Sequence, residues 1–304
     1  MDLSAINPVL LLASLMVAAT PILLAAIGEL VVERAGVLNL GVEGIMITGA
    51  VCGFIVAVAT SSPWLGFVGA AVGGALLSLV FGVLTQFLLS NQVATGLALT
   101  LFGLGLSALM GQGYLGIRAP AFADWDVPLL SDIPWLGPIV FQHDPMVYIG
   151  IGIVAGVWFF LNRTRAGLIL RAVGENHDAA HALGYHVRRT RMLAIMFGGA
   201  CAGLGGAYLS LVRVPQWTEG MTAGAGWIAL AIVVFASWRP WRLLLGAYLF
   251  GGVTVLQLNL QAAGARVPVE YLSMSPYLAT IAVLVIMSAG RAPGSLGRIF
   301  HAAR

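Results

Sequence analysis

The chain alternates long apolar blocks with short polar interruptions. Nine blocks read as membrane spans: residues 8–28, 45–60, 64–89, 93–110, 146–161, 192–212, 227–238, one ending near 260, and 272–290. A helix needs about 20 mostly apolar residues to cross roughly 30 Å of hydrocarbon, and the seventh block is short by that measure. This pattern predicts an all-α polytopic membrane protein of about nine transmembrane helices, with eight to ten compatible, in a single transmembrane domain over residues 1–304. The first block has no basic region before it and no cleavage site after it, so it is expected to be a span and not a signal peptide. Glycines at 66, 69, 73, 74 and 82 predict a third span packed inside the bundle, since small residues let helices approach closely in lipid.

The longest polar interruption on the arginine-rich side, residues 162–191, carries Arg163, Arg165, Arg171, Arg188, Arg189 and Arg191. Its residues predict two short helices. Gly174 stops the first by accepting a left-handed conformation. Asn176 caps the second, Asp178 lies in its first turn, and Gly184 closes it. Residues 177–183 then make a rod of roughly 10 Å with Ala179 and Ala180 on its surface, an element suited to being gripped by another protein. A different interruption, residues 111–145, holds Asp124, Asp126, Asp132 and Asp144 against a single Arg118, with Trp125 and Trp135 suggesting a segment at the membrane interface.

Composition closes off other classes. Hydrophobic residues make up 60% and charged residues 9%, with mean hydropathy +0.96, which excludes an ordinary soluble domain. Every one of the 15 basic residues is arginine. Alternating the spans puts Arg34, the six of 162–191, Arg239, Arg242, Arg291, Arg298 and Arg304 on one side, leaving Arg118, Arg213 and Arg266 on the other. The positive-inside rule makes the first side cytoplasmic, so 163–191 is expected in the cytoplasm and 111–145 outside, where its acids with Glu270 would help dock a partner. Cys52 and Cys201 fall in apolar blocks without CxxC spacing and are expected to be free buried thiols.

Two interruptions resemble each other: VEGIMITGA (42–50) and TEGMTAGAG (218–226) both place Glu-Gly before small residues and a span. They open from opposite sides, so spans one to four and six to nine form a candidate inverted repeat with broken helices. In transporters such a repeat places the substrate path at its interface. Glu43 and Glu219 are the informative carboxylates, with Asn39 one helical turn before Glu43. A carboxylate at mid-span costs about 2.5 kcal/mol or more and needs a polar cavity or a partner. These residues therefore either border a substrate path or cap the helix that follows. Glu29, Glu33 and Arg34 are expected to be boundary charges that pair or solvate. His177 and His181, at i and i+4, are read as a solvated helix face and not as metal ligands. Walker A, HExxH and GxSxG patterns are absent, and a chain without lysine cannot supply a Walker lysine.

GELVVERAGVLNLGVEGIMITGA, NQVATGLALTLFGLGLS, TRAGLILRAVGENHDAAHALG and PYLATIAVLVIMS, in this order between about residues 20 and 290, resemble the branched-chain-type permease subunits of bacterial ABC importers. More narrowly, they are similar to permeases that work with basic-membrane-lipoprotein-type binding proteins in nucleoside uptake. The resemblance implies a multi-pass subunit of the bacterial cytoplasmic membrane, without cofactor and without nucleic acid as a partner. It also implies a second permease subunit, an ABC ATPase that hydrolyses ATP, an extracytoplasmic solute-binding protein, and membrane lipid around the helices. The segment matching 164–184 is implied to contact the ATPase, through Gly174, Glu175, Asn176, Ala179, Ala180 and Gly184. One departure is His177, where the family commonly has proline after Gly-Glu-Asn. The implied cargo is a nucleoside or related purine or pyrimidine compound. A sugar permease and an ion-coupled secondary transporter stand as alternatives.

Overall fold

The computed structural model describes residues 8–123, 125–126, 133, 137–262, 268, 271, 274, 275, 278, 281, 282, 285 and 292–301. Among the described residues ten α-helices of continuous range follow in order: α1 Pro8–Arg34, α2 Val42–Thr60, α3 Pro63–Gln86, α4 Gln92–Gly111, α5 Pro145–Arg163, α6 Arg165–Glu175, α7 His177–Ala182, α8 Val187–Tyr208, α9 Ala225–Phe235 and α10 Pro240–Ala262. Seven of the described helices are long and apolar enough to span a membrane, α8 doing so with a π-helical turn that carries it to Arg213. At 11 residues α9 is too short, and most of the ninth apolar block lies outside the described residues.

Local chemistry sets the helix starts. Asn91 accepts from Ala94 N at 3.0 Å, and Asp144 accepts from Met146 N and Val147 N, so each satisfies first-turn donors that have no partner in the helix. Pro63 and Pro145 occupy first-turn positions, where a missing N–H costs nothing. One boundary differs from the sequence expectation: α1 does not stop at Gly28 but runs six residues further, to Arg34. That glycine serves close packing, since a Cβ there would stand 2.6 Å from Cys201 Cβ and 2.8 Å from Gly198 O.

The core forms where α8 crosses α1. Against α8 pack α2 and α3; against α1 pack α9 and α10. Gly203 and Gly206 of α8 admit α3 and α2 so closely that a Cβ would overlap the carbonyl oxygens of Ala70 and Met46. Val68, Val72, Leu76 and Val80 of α3, with Leu97, Leu101 and Phe102 of α4, turn outward as the apolar surface that hydrocarbon covers. The described residues of 111–145 hold a 3-10 turn at Gln112–Tyr114, a π-helical turn at Gly137–Phe141 and a short antiparallel pair, β1 Trp125–Asp126 with β2 Gln142–His143.

Candidate functional site

Residues 35–41 between α1 and α2 are irregular and largely buried, and from the mostly exposed segment 214–224 before α9 the buried Thr222 reaches Glu43 at the start of α2. Glu43 lies in the first turn of α2 and is 4% exposed. One carboxylate oxygen accepts from Thr222 Oγ1 at 2.6 Å and from Gly224 N at 2.9 Å; the other accepts from Gly226 N at 2.7 Å. Gly224 is the N-cap of α9, in a left-handed conformation at φ +86°, and Gly226 lies in that helix's first turn. A carboxylate from α2 therefore caps α9, where the positive end of the helix dipole favours it. Gly226 permits the contact, because a Cβ would stand 2.6 Å from the Glu43 backbone.

Asn39 is buried beside this junction. Its side chain accepts from Gly41 N at 2.9 Å, and its own N–H donates to Glu29 Oε1 at 3.3 Å. Glu219 is exposed on the loop before α9 and is not brought to Glu43. Glu29 and Glu33 are buried in α1 and, among the described residues, are not boundary charges that solvate or form an ion pair: Glu33 accepts from the indole N–H of Trp238 and Glu29 from a backbone amide. At the end bearing the aspartates, Asp144 also accepts from Tyr208 O–H, and Trp217 is buried against Gly111, where a Cβ would overlap its indole. Backbone of Asp126 apart, the acids expected to dock a partner (Asp124, Asp132 and Glu270) lie outside the described residues.

At the arginine-rich end, α6 starts at Thr164, whose hydroxyl accepts from Gly167 N at 3.0 Å. Gly174 does not stop this helix, which continues to Glu175. It is a contact point instead, since a Cβ would overlap the carbonyl oxygen of Arg34. Asn176 caps α7 by accepting from Ala179 N at 3.0 Å, and Gly184 closes it at φ +87°. Tyr185 N reaches back to Ala180 O at 3.1 Å, completing a glycine-dependent helix stop.

The two alanines of α7 part company. Ala179 is exposed, whereas Ala180 is buried with Val173, Val187 and Phe300, so the expectation that both lie on the free surface is corrected. His177 likewise is not on a solvated face. It is buried, stacked edge-on against Phe300 at 5.4 Å, and close to Arg191. Burial first, and the Arg191 charge next, hold its pKa below the usual histidine value. The exposed surface of α7 comprises Asp178, Ala179, His181 and Ala182, and ends in Leu183, 76% exposed.

Arg191 ties this end together. It is fully buried, and donates from Nε to Ala35 O at 3.2 Å and from Nη1 to Arg298 O at 3.1 Å, with Nη2 at 3.3 Å from His177 Nδ1. Ser295 adds two more links, accepting from His177 N at 3.1 Å and donating its own N–H to Gly174 O at 2.8 Å. Leu183 and Thr222 were not singled out in the sequence, and Arg191 and the segment 294–300 were read there only for their arginine charge. A signal existed only for Leu183, an apolar residue directly before the closing glycine; the others take their roles from contacts distant in the chain.

Comparisons with known proteins agree with this architecture. The family described as branched-chain amino acid transport system / permease component matches residues 11–288. A putative glucose ABC transporter permease of Haloferax volcanii is 45% identical, covering 88% of each chain. A nucleoside ABC transporter permease of Lactococcus lactis is 33% identical over 91% of this chain and 92% of its own. A guanosine ABC transporter permease of Bacillus subtilis is 32% identical over 93% of each. No solved structure matches the chain. The chain belongs to the branched-chain-type permease family and is a multi-pass ABC permease subunit.

Proposed function

We propose that this chain forms the membrane path of an ABC importer carrying a nucleoside or related purine or pyrimidine compound into the cytoplasm. The observation that carries the reading is the buried junction at which Glu43 of α2 caps the broken helix α9. Irregular backbone inside a bundle is tolerated where it lines a path or is held by protein, and a discontinuous helix at a repeat interface is where transporters place their substrate. On this reading Asn39 and Glu43 shape the inner wall of the path and exposed Glu219 stands where the solute arrives. The chain itself is not catalytic, and a partner ATPase supplies the energy. The arginine-rich end faces the cytoplasm and the 111–145 segment faces out toward a solute-binding protein.

Coupling to the ATPase runs through α7. Asp178, Ala179 and Leu183 offer the contact surface, Glu175 and Asn176 fix the start of the helix, and Gly184 its stop. Gly174 and Ala180 act from within, by seating the segment on α1 and on Phe300. A pull on α7 reaches Ala35 through Arg191, and so the segment 35–41 that precedes Glu43. The bundle then exchanges outward- and inward-facing packings.

The name of the Haloferax relative favours a second reading in which the solute is a sugar. Proteoliposomes holding this chain with its partner subunit, ATPase and binding protein would decide. ATP-driven uptake of labelled guanosine, undiminished by excess glucose, is expected. Competition by glucose but not by nucleosides would establish the second reading, and gradient-driven uptake without any ATPase would overturn both.

A further inference from the structure

At the arginine-rich end, a cavity of about 510 Å³ opens among α1, α5, α6 and the start of α10. Four guanidinium groups converge on it: Arg34, Arg171, Arg239 and Arg242. Arg34 is anchored, donating to Trp238 O from Nε at 3.1 Å and from Nη2 at 2.8 Å. Arg171 presents a buried Nε with no hydrogen-bond partner. Among the described residues no ion pair joins any of the four to a carboxylate. The charges of Arg171 and Arg239 both act on Arg34, with exposed Glu175 the carboxylate in electrostatic reach. Four cations gathered this way repel one another and call for an anion from outside the chain. Pro240 opens α10 here, so the amides of Trp241 and Arg242 have no acceptor within the helix and add to the attraction.

The rest of the wall says which anion. Trp158 and Trp241 stand with ring centroids 6.5 Å apart at the adjoining ends of α5 and α10, beside Leu161. Tryptophan at the end of a span sits at the level of lipid headgroups, and basic pockets between spans bind anionic headgroups. From Trp241 an exposed apolar row continues along α10 through Leu245 and Leu249, at the four-residue spacing that keeps one helix face. A soluble phosphate has no use for that row, whereas acyl chains do. We infer that this cavity binds the phosphate headgroup of an anionic membrane lipid, of the phosphatidylglycerol or cardiolipin kind, with its acyl chains lying along α10.

The test uses the full chain in mixed micelles of phosphatidylglycerol and phosphatidylcholine, with retained lipid counted by native mass spectrometry. Wild type should retain the anionic lipid in preference by about tenfold, and the combined variant Arg171→Gln, Arg239→Gln, Arg242→Gln should lose that preference. Because a triple variant can fail to fold, a photoactivatable phosphatidylglycerol is also applied to wild type, with cross-links expected at Trp158 or Trp241. Equal retention of the two lipids by wild type, or unchanged preference in the variant, would overturn the assignment, as would cross-links confined to other faces. Inorganic phosphate supplies the other arm. If it shields Arg239 and Arg242 from arginine-modifying reagents as well as lipid does, the site belongs to a free anion. If the variant keeps its lipid but no longer retains the ATPase, the cavity is a protein contact.

Discussion

Glu43 and Arg191 are both buried charges, each with three polar partners, and they are neutralised in opposite ways. Glu43 sits at a helix start and collects N–H and O–H donors. Arg191, in the second turn of α8, reaches the carbonyl just past the end of α1 and collects the carbonyls of Ala35 and Arg298 together with a histidine nitrogen. Neither relies on a side chain of opposite charge among the described residues, where the one ion pair is His177 with Asp178 at 3.5 Å. Helix ends and loop backbone serve as the counter-charges, which suits a chain with 9% charged residues. The difference lies in what each leaves behind when removed. A buried N–H that loses its acceptor has no second option, whereas a carbonyl has two lone pairs and is more often found under-satisfied.

That asymmetry gives the largest expected effect. Glu43→Ala strands the amides of Gly224 and Gly226 and the Thr222 hydroxyl, and should cost roughly 3 kcal/mol or more, at about 1 kcal/mol for each group taken at the low end. Glu43→Gln keeps one acceptor oxygen and should fall between. Unfolding midpoints in detergent, alongside uptake in proteoliposomes, measure this. An alanine variant that melts with wild type would mean the cap contributes nothing.

Next comes Arg191→Met, which keeps the stem and removes the donors, at an expected cost of roughly 1–3 kcal/mol. The loss should be local: hydrogen exchange should quicken in α7 and in 292–301 while α9 keeps its protection. Uniform quickening across both junctions would show that the two are not separate units.

These junctions also mark how far the chain can be read without coordinates. The spans were legible because hydrocarbon demands long apolar blocks. So were Asn176 and Gly184, whose roles are set by residues three or four positions away. Glu43 was legible as a carboxylate that caps a helix or borders a path, but the helix it caps begins 182 residues later, at Ala225. Gly174 misled for the same reason: a glycine used for contact looks in sequence like a glycine used as a stop. Ala180 and His177 were placed on the surface because their cover, Phe300, comes from the other end of the chain.

The two alanines of α7 sharpen the comparison on the Arg191 side. Ala180→Trp overfills the cluster of Val173, Val187 and Phe300 and should cost about 1–3 kcal/mol. Ala179→Trp, being exposed, should change stability by no more than about 0.5 kcal/mol while reducing co-purification of the ATPase. If both variants hold the ATPase as wild type does, the contact lies away from α7.

The smallest effect expected concerns His177, the one partner of Arg191 that can titrate near neutral pH. Its Nδ1 faces Arg191 Nη2 at 3.3 Å, so the neutral ring is the form that accepts there. Burial comes first and Arg191 second in holding the pKa below its ordinary value of 6.5, with Arg298 and His301 acting the same way and Asp178 opposing them. A base with a lowered pKa binds fewer protons folded than unfolded in the window beneath that value. Its contribution is therefore complete above about pH 6.5, declines as pH falls from there to the folded value, and changes no further below it. Opening of α7, read from exchange at Ala180 N and Leu183 N after correction for intrinsic rates, should become easier over that window. His177→Gln cannot titrate and should remove the slope. A slope that survives in His177→Gln would move the proton to another group and leave Arg191 indifferent to pH.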